Sequence, residues 1–165
     1  MTFRLRTMRE SDLHAVYAVQ TLAYTDMVES QDVLRSRLMS APDTAWVAEN
    51  KDGIGAYLVA YPSHRGKISS LGGEFDIAPA ANALYIHDLA VAPRMAGQGV
   101  AAALVQQAFA YAISRQLTYI CLVSVQDSLV FWNKLGFEED HELSPEQASV
   151  LLSYSGPAYY CTKKI

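Results

Sequence analysis

The chain contains 165 residues, of which 51% are hydrophobic and 18% charged, a balance typical of a globular domain rather than a disordered chain. Its formal net charge of −4 argues against a nucleic-acid partner, because such proteins need a basic face. No apolar run reaches the roughly 20 residues of a membrane-spanning helix, and the first residues lack the apolar core of a signal peptide. We therefore expect one domain over residues 1–165, located in the cytoplasm.

Both cysteines lie inside apolar segments. Neither Cys121 nor Cys161 belongs to a Cys-x-x-Cys pair or a mixed Cys/His pattern, so the sequence predicts no metal site. Isolated cysteines in such surroundings are typically buried thiols that pack as small apolar groups. We interpret both as reduced core residues without a catalytic role.

Hydrophobic periodicity divides the chain into a series of strands and helices. In chain order the predicted elements are a strand over Thr2–Thr7, a helix capped by Ser11, a helix over Gln31–Ser40, strands over Thr44–Glu49, Ile54–Tyr61 and Ala83–Val91, a helix following Gly99, a strand over Thr118–Val125, a helix from Asp127 to Leu135, a short helix over Glu146–Leu152 and a strand over Ala158–Lys163. This order indicates a mixed α/β layer structure.

One connection is long. Pro62 to Asn82 contains the basic stretch His64-Arg65-Gly66-Lys67 and a Gly-Gly pair, and no periodic pattern. Loops of this length in a compact domain are often functional or mobile. Two interpretations stay open: the segment borders a substrate cleft, or it is only a flexible hairpin tip.

The segment most informative about chemistry follows the apolar strand Ala83–Val91. There the sequence Arg94-Met-Ala-Gly-Gln-Gly99 leads directly into a helix. The first N–H groups of a helix have no intrahelical acceptor, and the helix dipole adds partial positive charge at that end. Glycines allow an anion to approach the backbone closely. The pattern favours a phosphate or diphosphate site.

Two common phosphate motifs do not fit this segment. A Walker loop continues with Lys and Ser/Thr, whereas Val100 and Ala101 follow Gly99 here. A dinucleotide fingerprint needs a third glycine, and that position holds Ala102. A tight strand-to-helix turn without any ligand remains the alternative interpretation.

Two motifs together resemble the GNAT N-acetyltransferase superfamily. The first is Leu89-Ala-Val91 followed by Arg94-Met-Ala-Gly-Gln-Gly99, and the second is Phe131-Trp-Asn-Lys-Leu-Gly-Phe137 at the end of a helix. The N-terminal segment RTMRESDL also looks like the opening of that family. The resemblance implies a three-layer α/β fold with about four helices and a mixed central sheet of six or seven strands. The sheet would be splayed between its two central parallel strands.

The resemblance implies acetyl-CoA as the cofactor. The backbone from Met95 to Val100 would hold the diphosphate, and the strand Leu89–Val91 would pair with the pantetheine arm. The residues that the resemblance assigns to coenzyme A are Leu89, Ala90, Val91, Arg94, Met95, Ala96, Gly97, Gln98, Gly99, Val100, Ala101, Gln126, Ser128, Phe131 and Trp132. Ala96 departs from the family's usual arginine, and Gln126 stands near the place of a usual asparagine.

Catalysis by this family implies a backbone N–H at Leu89 that stabilises the oxyanion. A general base would also assist, because amines are protonated at neutral pH. His87 and Asp88 are both candidates, and strand alternation predicts that they point to opposite faces. Glu74 is a weaker candidate. For His87 and Asp88, a hydrogen-bonded structural role remains the alternative.

The general acid is missing from its usual position. Many family members carry tyrosine where this chain has Trp132, and an indole N–H is no useful acid. Water, Tyr154 or Tyr159 are the candidates that remain.

The leading hypothesis is an N-acetyltransferase that moves an acetyl group from acetyl-CoA to a primary amine by direct attack in a ternary complex. The acceptor would be a small molecule or a peptide, and family habit implies a homodimer. A second hypothesis is an acyl-CoA-binding sensor or a degenerate relative without turnover. A nucleotide-binding domain is a third.

Overall fold

The computed structural model describes residues 2–26 and 28–165 and shows one mixed sheet flanked by helices on both faces. The strands are β1 Arg4–Thr7, β2 Ala45–Asn50, β3 Gly53–Ser63, β4 Ala83–Val91, β5 Tyr119–Ser124, β6 Glu138–Glu139 and β7 Tyr159–Lys164. The helices are α1 Leu13–Ala23, α2 Gln31–Ser40, α3 Val100–Ser114, α4 Leu129–Lys134 and α5 Pro145–Leu152. Short 3₁₀ turns precede α1, β2 and α3.

The strand order β1-β2-β3-β4-β5-β7-β6 contains seven strands. Among the described strands, β4 and β5 are the parallel neighbours, and they pair over Ala83–Ile86 and Tyr119–Leu122. Beyond Ile86 and Leu122, no described residue of β4 pairs with a residue of β5. The splayed three-layer fold expected from the sequence is confirmed. Among the described residues there are five helices where the resemblance implied about four, and they include α5, which the pattern predicted over Glu146–Leu152.

The sheet separates two apolar cores. On one face, Val16 of α1 and Leu38 of α2 pack with Tyr57 and Tyr85 of the sheet. On the other face, Leu104 of α3 and Trp132 of α4 pack with Leu58, Leu84 and Ile120. The alternation of the strand residues supplies both cores, because neighbouring side chains point to opposite faces.

Two predicted helix caps are wrong. Ser11 lies inside a 3₁₀ turn, Glu10–Asp12, and it is Asp12 that accepts the Arg9 N–H at 2.7 Å. Before α4 the N-cap is Ser128, because Gln126 and Asp127 adopt left-handed backbone angles with φ of 53° and 58°. Aspartate tolerates this conformation better than most residues, so Asp127 reverses the chain rather than capping the helix.

No helix among the described residues is both long and apolar enough to cross a lipid bilayer.

The core under α3 supports a direct stability test. Leu104 is completely buried, whereas Ile113 in the same helix is 62% exposed. We expect Leu104→Ala to lower the free energy of unfolding by about 2–5 kcal/mol, because it removes buried apolar atoms and leaves a cavity. The control Ile113→Ala should change it by less than about 0.5 kcal/mol. Urea denaturation of both variants measures the difference, and equal effects would contradict this packing.

Candidate active site

The principal cleft lies where β4 and β5 part, and its volume is about 270 Å³. Its walls come from β4, β5, α4 and the residues around the end of α1. The lining residues are Ala23, Tyr24, Glu29, Leu71, Ile86, His87, Asp88, Leu89, Ala90, Val91, Ala101, Leu122, Val123, Val125, Gln126, Ser128, Phe131, Trp132 and Tyr154. The structure thus brings most of the residues predicted for the site to one cleft.

A β-bulge in β4 determines which side chains enter this cleft. Val59 pairs with Asp88 and the adjacent Ala60 pairs with Ile86, so His87 is the extra residue. A bulge interrupts the alternation of a strand. The prediction that His87 and Asp88 point to opposite faces is therefore wrong. Both side chains lie on the face of α1 and α2, where His87 contacts Arg37 and Asp88 contacts Tyr57.

The backbone of β4 beyond the bulge offers unpaired groups to the gap. Ala92 donates its N–H to Gly55 O at 2.7 Å, on the β3 side. Because backbone groups alternate between the two edges of a strand, those of Leu89 and Val91 face the gap. Tyr24 Oη lies 3.1 Å from Leu89 O, which agrees with this orientation.

The glycine loop continues the line of unpaired amides. Gly97 and Gly99 have φ of 77° and 78°, a left-handed conformation that strongly favours glycine. A Cβ atom at either position would meet nothing within 4 Å, so space is open above the backbone. Within the described chain, none of the N–H groups of residues 97–102 has an acceptor.

Other predicted loop residues have structural partners. Arg94 donates to Asn50 Oδ1 and to the carbonyls of Gly53 and Ile54, so its guanidinium holds the β2–β3 turn. Met95 is fully buried in the core. Ala96 is exposed, and its N–H donates to Pro93 O. Gln98 donates its side-chain amide to Arg94 O at 3.2 Å. What this loop presents to a ligand is mainly backbone.

The opposite wall is aromatic. Phe131 and Trp132 pack edge to face, with ring centroids 4.9 Å apart, and Trp132 also packs against Phe137. Ser128 donates its hydroxyl to Val125 O at 2.6 Å and lies 2.9 Å from Ser124 Oγ. Gln126 is exposed at the rim. This wall provides apolar contact and few free polar groups.

Asp88 is held between two tyrosines. Tyr24 donates to Asp88 Oδ1 at 2.6 Å and Tyr57 donates to Oδ2 at 2.5 Å. Burial raises the pKa of Asp88, and the two hydrogen bonds oppose part of that increase. Sequence reasoning missed Tyr24, because its spacing after α1 matched an ordinary apolar helix face.

His87 belongs to a second buried group of polar side chains. Its Nε2 lies 2.8 Å from Arg37 Nη1, and its Nδ1 lies 2.9 Å from Ser69 Oγ. His87 Nε2 also lies 3.3 Å from Glu29 Oε1, so both ring nitrogens have polar partners. Arg37 also forms a salt bridge with Glu29. Neither Arg37 nor Glu29 was predicted.

Charge pairing dominates the behaviour of Glu29. Burial alone would raise its pKa, but hydrogen bonds and charge interactions with His87 and Arg37 lower the pKa of Glu29 to about 2. Its second oxygen accepts the Gly72 N–H at 2.8 Å. Glu29 is therefore an ionised, structurally engaged carboxylate at the floor of the cleft.

The remaining acid and base candidates lie in different places. Tyr154 lines the cleft, but its hydroxyl donates to Ser69 O at 2.6 Å, and burial raises the pKa of Tyr154 to about 12. Tyr159 lies on β7 outside the cleft lining. Glu74 is exposed and accepts a hydrogen bond from Ser36, also outside the cleft.

Hydrogen bonds attach the long loop between β3 and β4 to the rest of the structure. Ile68 donates its N–H to Gln147 of α5, and Arg37 donates to Gly73 O at 2.7 Å. With Ser69 bonded to His87 and Tyr154, the loop forms one border of the cleft. Of the two interpretations of this segment, the structure supports the one that places it beside the cleft.

Comparison with known proteins gives a family match. A sequence model described as the acetyltransferase (GNAT) family matches residues 10–137. No curated protein matches the chain.

Similar folds occur among solved structures. Ard1 from Thermoplasma volcanium has a TM-score of 0.78 at 16% identity, covering 100% of this chain and 99% of Ard1. Arabidopsis thaliana Naa50 in complex with the bisubstrate analogue CoA-Ac-MVNAL has a TM-score of 0.72 at 14% identity, covering 100% of both chains. The GNAT-like decarboxylase GphF in complex with isobutyryl-CoA has a TM-score of 0.70 at 18% identity, covering 98% of both. At these identities the likeness shows the fold alone.

The lowered pKa of Glu29 predicts how the free energy of unfolding depends on pH. A carboxylate whose folded pKa is depressed from 4.5 to about 2 stabilises the fold above pH 4.5, and this contribution is lost as pH falls towards 2. Above pH 4.5 we expect the wild type to have a higher free energy of unfolding than Glu29→Gln. This difference should shrink by up to about 3 kcal/mol as the pH falls from 4.5 towards 2. Urea titrations at several pH values measure it, and a constant difference would contradict the proposed ion pair.

Proposed function

This chain belongs to the acetyltransferase (GNAT) family, and we propose that it transfers an acetyl group from acetyl-CoA to a primary amine by direct attack in a ternary complex. The observation that carries the proposal is that two sets of backbone groups face open space: those of Leu89 and Val91 at the strand gap, and the unpaired amides of residues 97–102 at the glycine loop. One elongated ligand with amide, diphosphate and thioester groups matches these two sets.

The residues present fit this cofactor, which supplies an activated acetyl thioester. The amides of residues 97–102 and the N-terminal end of α3 would hold the diphosphate, since both offer donors and positive potential to an anion. Backbone groups of Leu89 and Val91 would pair with the pantetheine amides as an added strand does. Ala90, Ala101, Gln126, Ser128, Phe131 and Trp132 would border the arm.

The chemistry of the chain's own residues follows from the same geometry. The Leu89 N–H faces the gap and can stabilise negative charge on a carbonyl oxygen there. We assign the role of proton acceptor to Asp88, because it borders the cleft and two tyrosines hold it in place. His87 is the weaker candidate, since both of its ring nitrogens already have partners.

A side-chain acid is not required by this proposal. Trp132 borders the cleft without an acidic group, and a thiol has a pKa of about 8.5, so a thiolate needs little help to leave. Tyr154 is engaged by Ser69 O. The engaged states of His87 and Tyr154, together with Trp132, also favour a second candidate, an acyl-CoA-binding sensor without turnover.

Turnover separates the two candidates. We expect release of free thiol from acetyl-CoA on addition of primary amines, measured with a thiol-reactive dye against reactions lacking either protein or amine. Product mass should increase by one acetyl group. Tight binding of coenzyme A without thiol release across a broad amine panel would favour the sensor and contradict the enzyme.

The glycine loop supplies a matched binding test. Gly97, Gly99 and Gly156 share left-handed φ values of 77°, 78° and 73°, and a Cβ at each meets nothing within 4 Å. Alanine at any of them should cost similar stability, about 1–2 kcal/mol. We expect Gly97→Ala and Gly99→Ala to weaken coenzyme A binding at least about tenfold, or 1.4 kcal/mol, because the methyl group blocks the backbone.

The control Gly156→Ala lies outside the cleft lining and should retain the wild-type affinity. Calorimetric titration with coenzyme A measures all three variants. If the two loop variants bind as well as the control, the diphosphate does not sit on this loop.

A further inference from the structure

The charges around the cleft differ between its two ends. We call the group of Tyr24, Glu29, His87, Asp88 and Tyr154 the acceptor end, because it lies beside the strand gap on the α1 and α2 side. This end contains two carboxylates and two phenol hydroxyls. No lysine or arginine lines the cleft in the described part of the chain.

Among the residues that the structure describes, Arg37 is the cation next to the acceptor end, and it is not available to a ligand. Arg37 is 2% exposed, and its Nε and Nη2 donate to Gly73 O while Nη1 faces Glu29 and His87. The Phe75 ring covers one face of the guanidinium, with its centroid 5.1 Å from Arg37 Cζ. Arg37 therefore balances Glu29 and secures the loop, but it cannot reach a substrate carboxylate.

His87 is engaged as well. Its Nε2 lies 2.8 Å from Arg37 Nη1 and 3.3 Å from Glu29 Oε1, and its Nδ1 lies 2.9 Å from Ser69 Oγ, so both ring nitrogens already have partners. The polar groups that remain for an incoming substrate amine mostly accept hydrogen bonds rather than donate them. An anionic substituent near the acetylated nitrogen would find no partner here.

Asp88 retains capacity to bind a cation. A carboxylate accepts about four hydrogen bonds, and Asp88 receives two, from Tyr24 and Tyr57. Its side chain is only partly buried and borders the cleft. Primary amines are protonated in solution at neutral pH, so an ammonium group can approach Asp88 before it loses a proton.

The border of this end is fixed and close. Tyr154 donates to Ser69 O, Gln147 accepts from Ile68, and Glu29 accepts from Gly72, so side chains from two parts of the chain, around α5 and before α2, hold the loop beside the cleft. The cleft volume of about 270 Å³ has to hold the pantetheine end as well. These dimensions favour a compact acceptor.

Resting on the proposed acetyltransferase function, we propose that the acceptor end selects compact cationic amines with no carboxylate near the reacting nitrogen, and that it rejects free amino acids. Discrimination arises because a carboxylate would lie close to Asp88 and Glu29 in a partly desolvated site with no available cation.

Two matched acceptor pairs test the proposal: phenethylamine against phenylalanine, and tyramine against tyrosine. Each pair differs by one carboxylate on the carbon that bears the single amine. We expect kcat/KM from thiol release to favour the carboxylate-free member at least about tenfold. Equal values, or a preference for the amino acids, would overturn the proposal.

A variant pair locates the origin of the selectivity. Asp88→Asn keeps the shape and one of the two bonds that the tyrosines donate, and it removes the charge, so the ratio of the two kcat/KM values should fall at least about threefold, whatever happens to the absolute rate. Glu146→Gln, an exposed change on α5, should keep the wild-type ratio. An unchanged ratio in Asp88→Asn would overturn the assignment.

Calorimetric titration of the same pairs into protein saturated with coenzyme A gives a readout that does not need turnover. Tighter binding of the carboxylate-free member supports the proposal, and equal binding overturns it. Failure of the proposed function gives a different pattern: no thiol release from any member of the panel.

Discussion

The site depends on the parting of β4 from β5. Up to Ile86 and Leu122 the two strands pair as a parallel ladder, and beyond these residues the ladder stops. Unpaired backbone groups at the centre of a sheet are costly unless something binds them, and this is why we propose that the ligand pairs with the strand in this gap. The glycine loop adds free N–H donors at the N-terminus of α3. The strand gap and the glycine loop together form the single long site that we propose for the ligand.

The bulge at His87 decides what chemistry faces that site. With regular alternation, one of His87 and Asp88 would point into the α3 core among apolar side chains. The extra residue instead directs both to the α1 and α2 face, where Asp88 meets Tyr24 and His87 meets Arg37. The two residues then take different roles: one is a partly exposed carboxylate at the cleft, and the other links the loop border to a buried ion pair.

Sequence reasoning recovered six of the seven described strands, the main helices, the glycine loop and the family, because periodicity, glycines and the motif ending at Phe137 are local signals. It missed β6, which has only two residues and therefore no periodic pattern. It could not find the bulge, since one inserted residue leaves the apolar pattern of Ala83–Val91 intact. Glu29 and Arg37 were missed because their partner His87 lies more than 45 residues away in sequence. The left-handed turn at Asp127 was misread because aspartate favours both caps and such turns.

The central claim concerns the free amides of residues 97–102. Amide hydrogen exchange followed by NMR, with and without coenzyme A, tests it most directly. The account predicts strong protection of Gly97, Gly99 and their neighbours on binding, while exposed amides of the distant Gly156 segment exchange as before. Binding of coenzyme A that leaves the exchange of residues 97–102 unchanged would contradict the account.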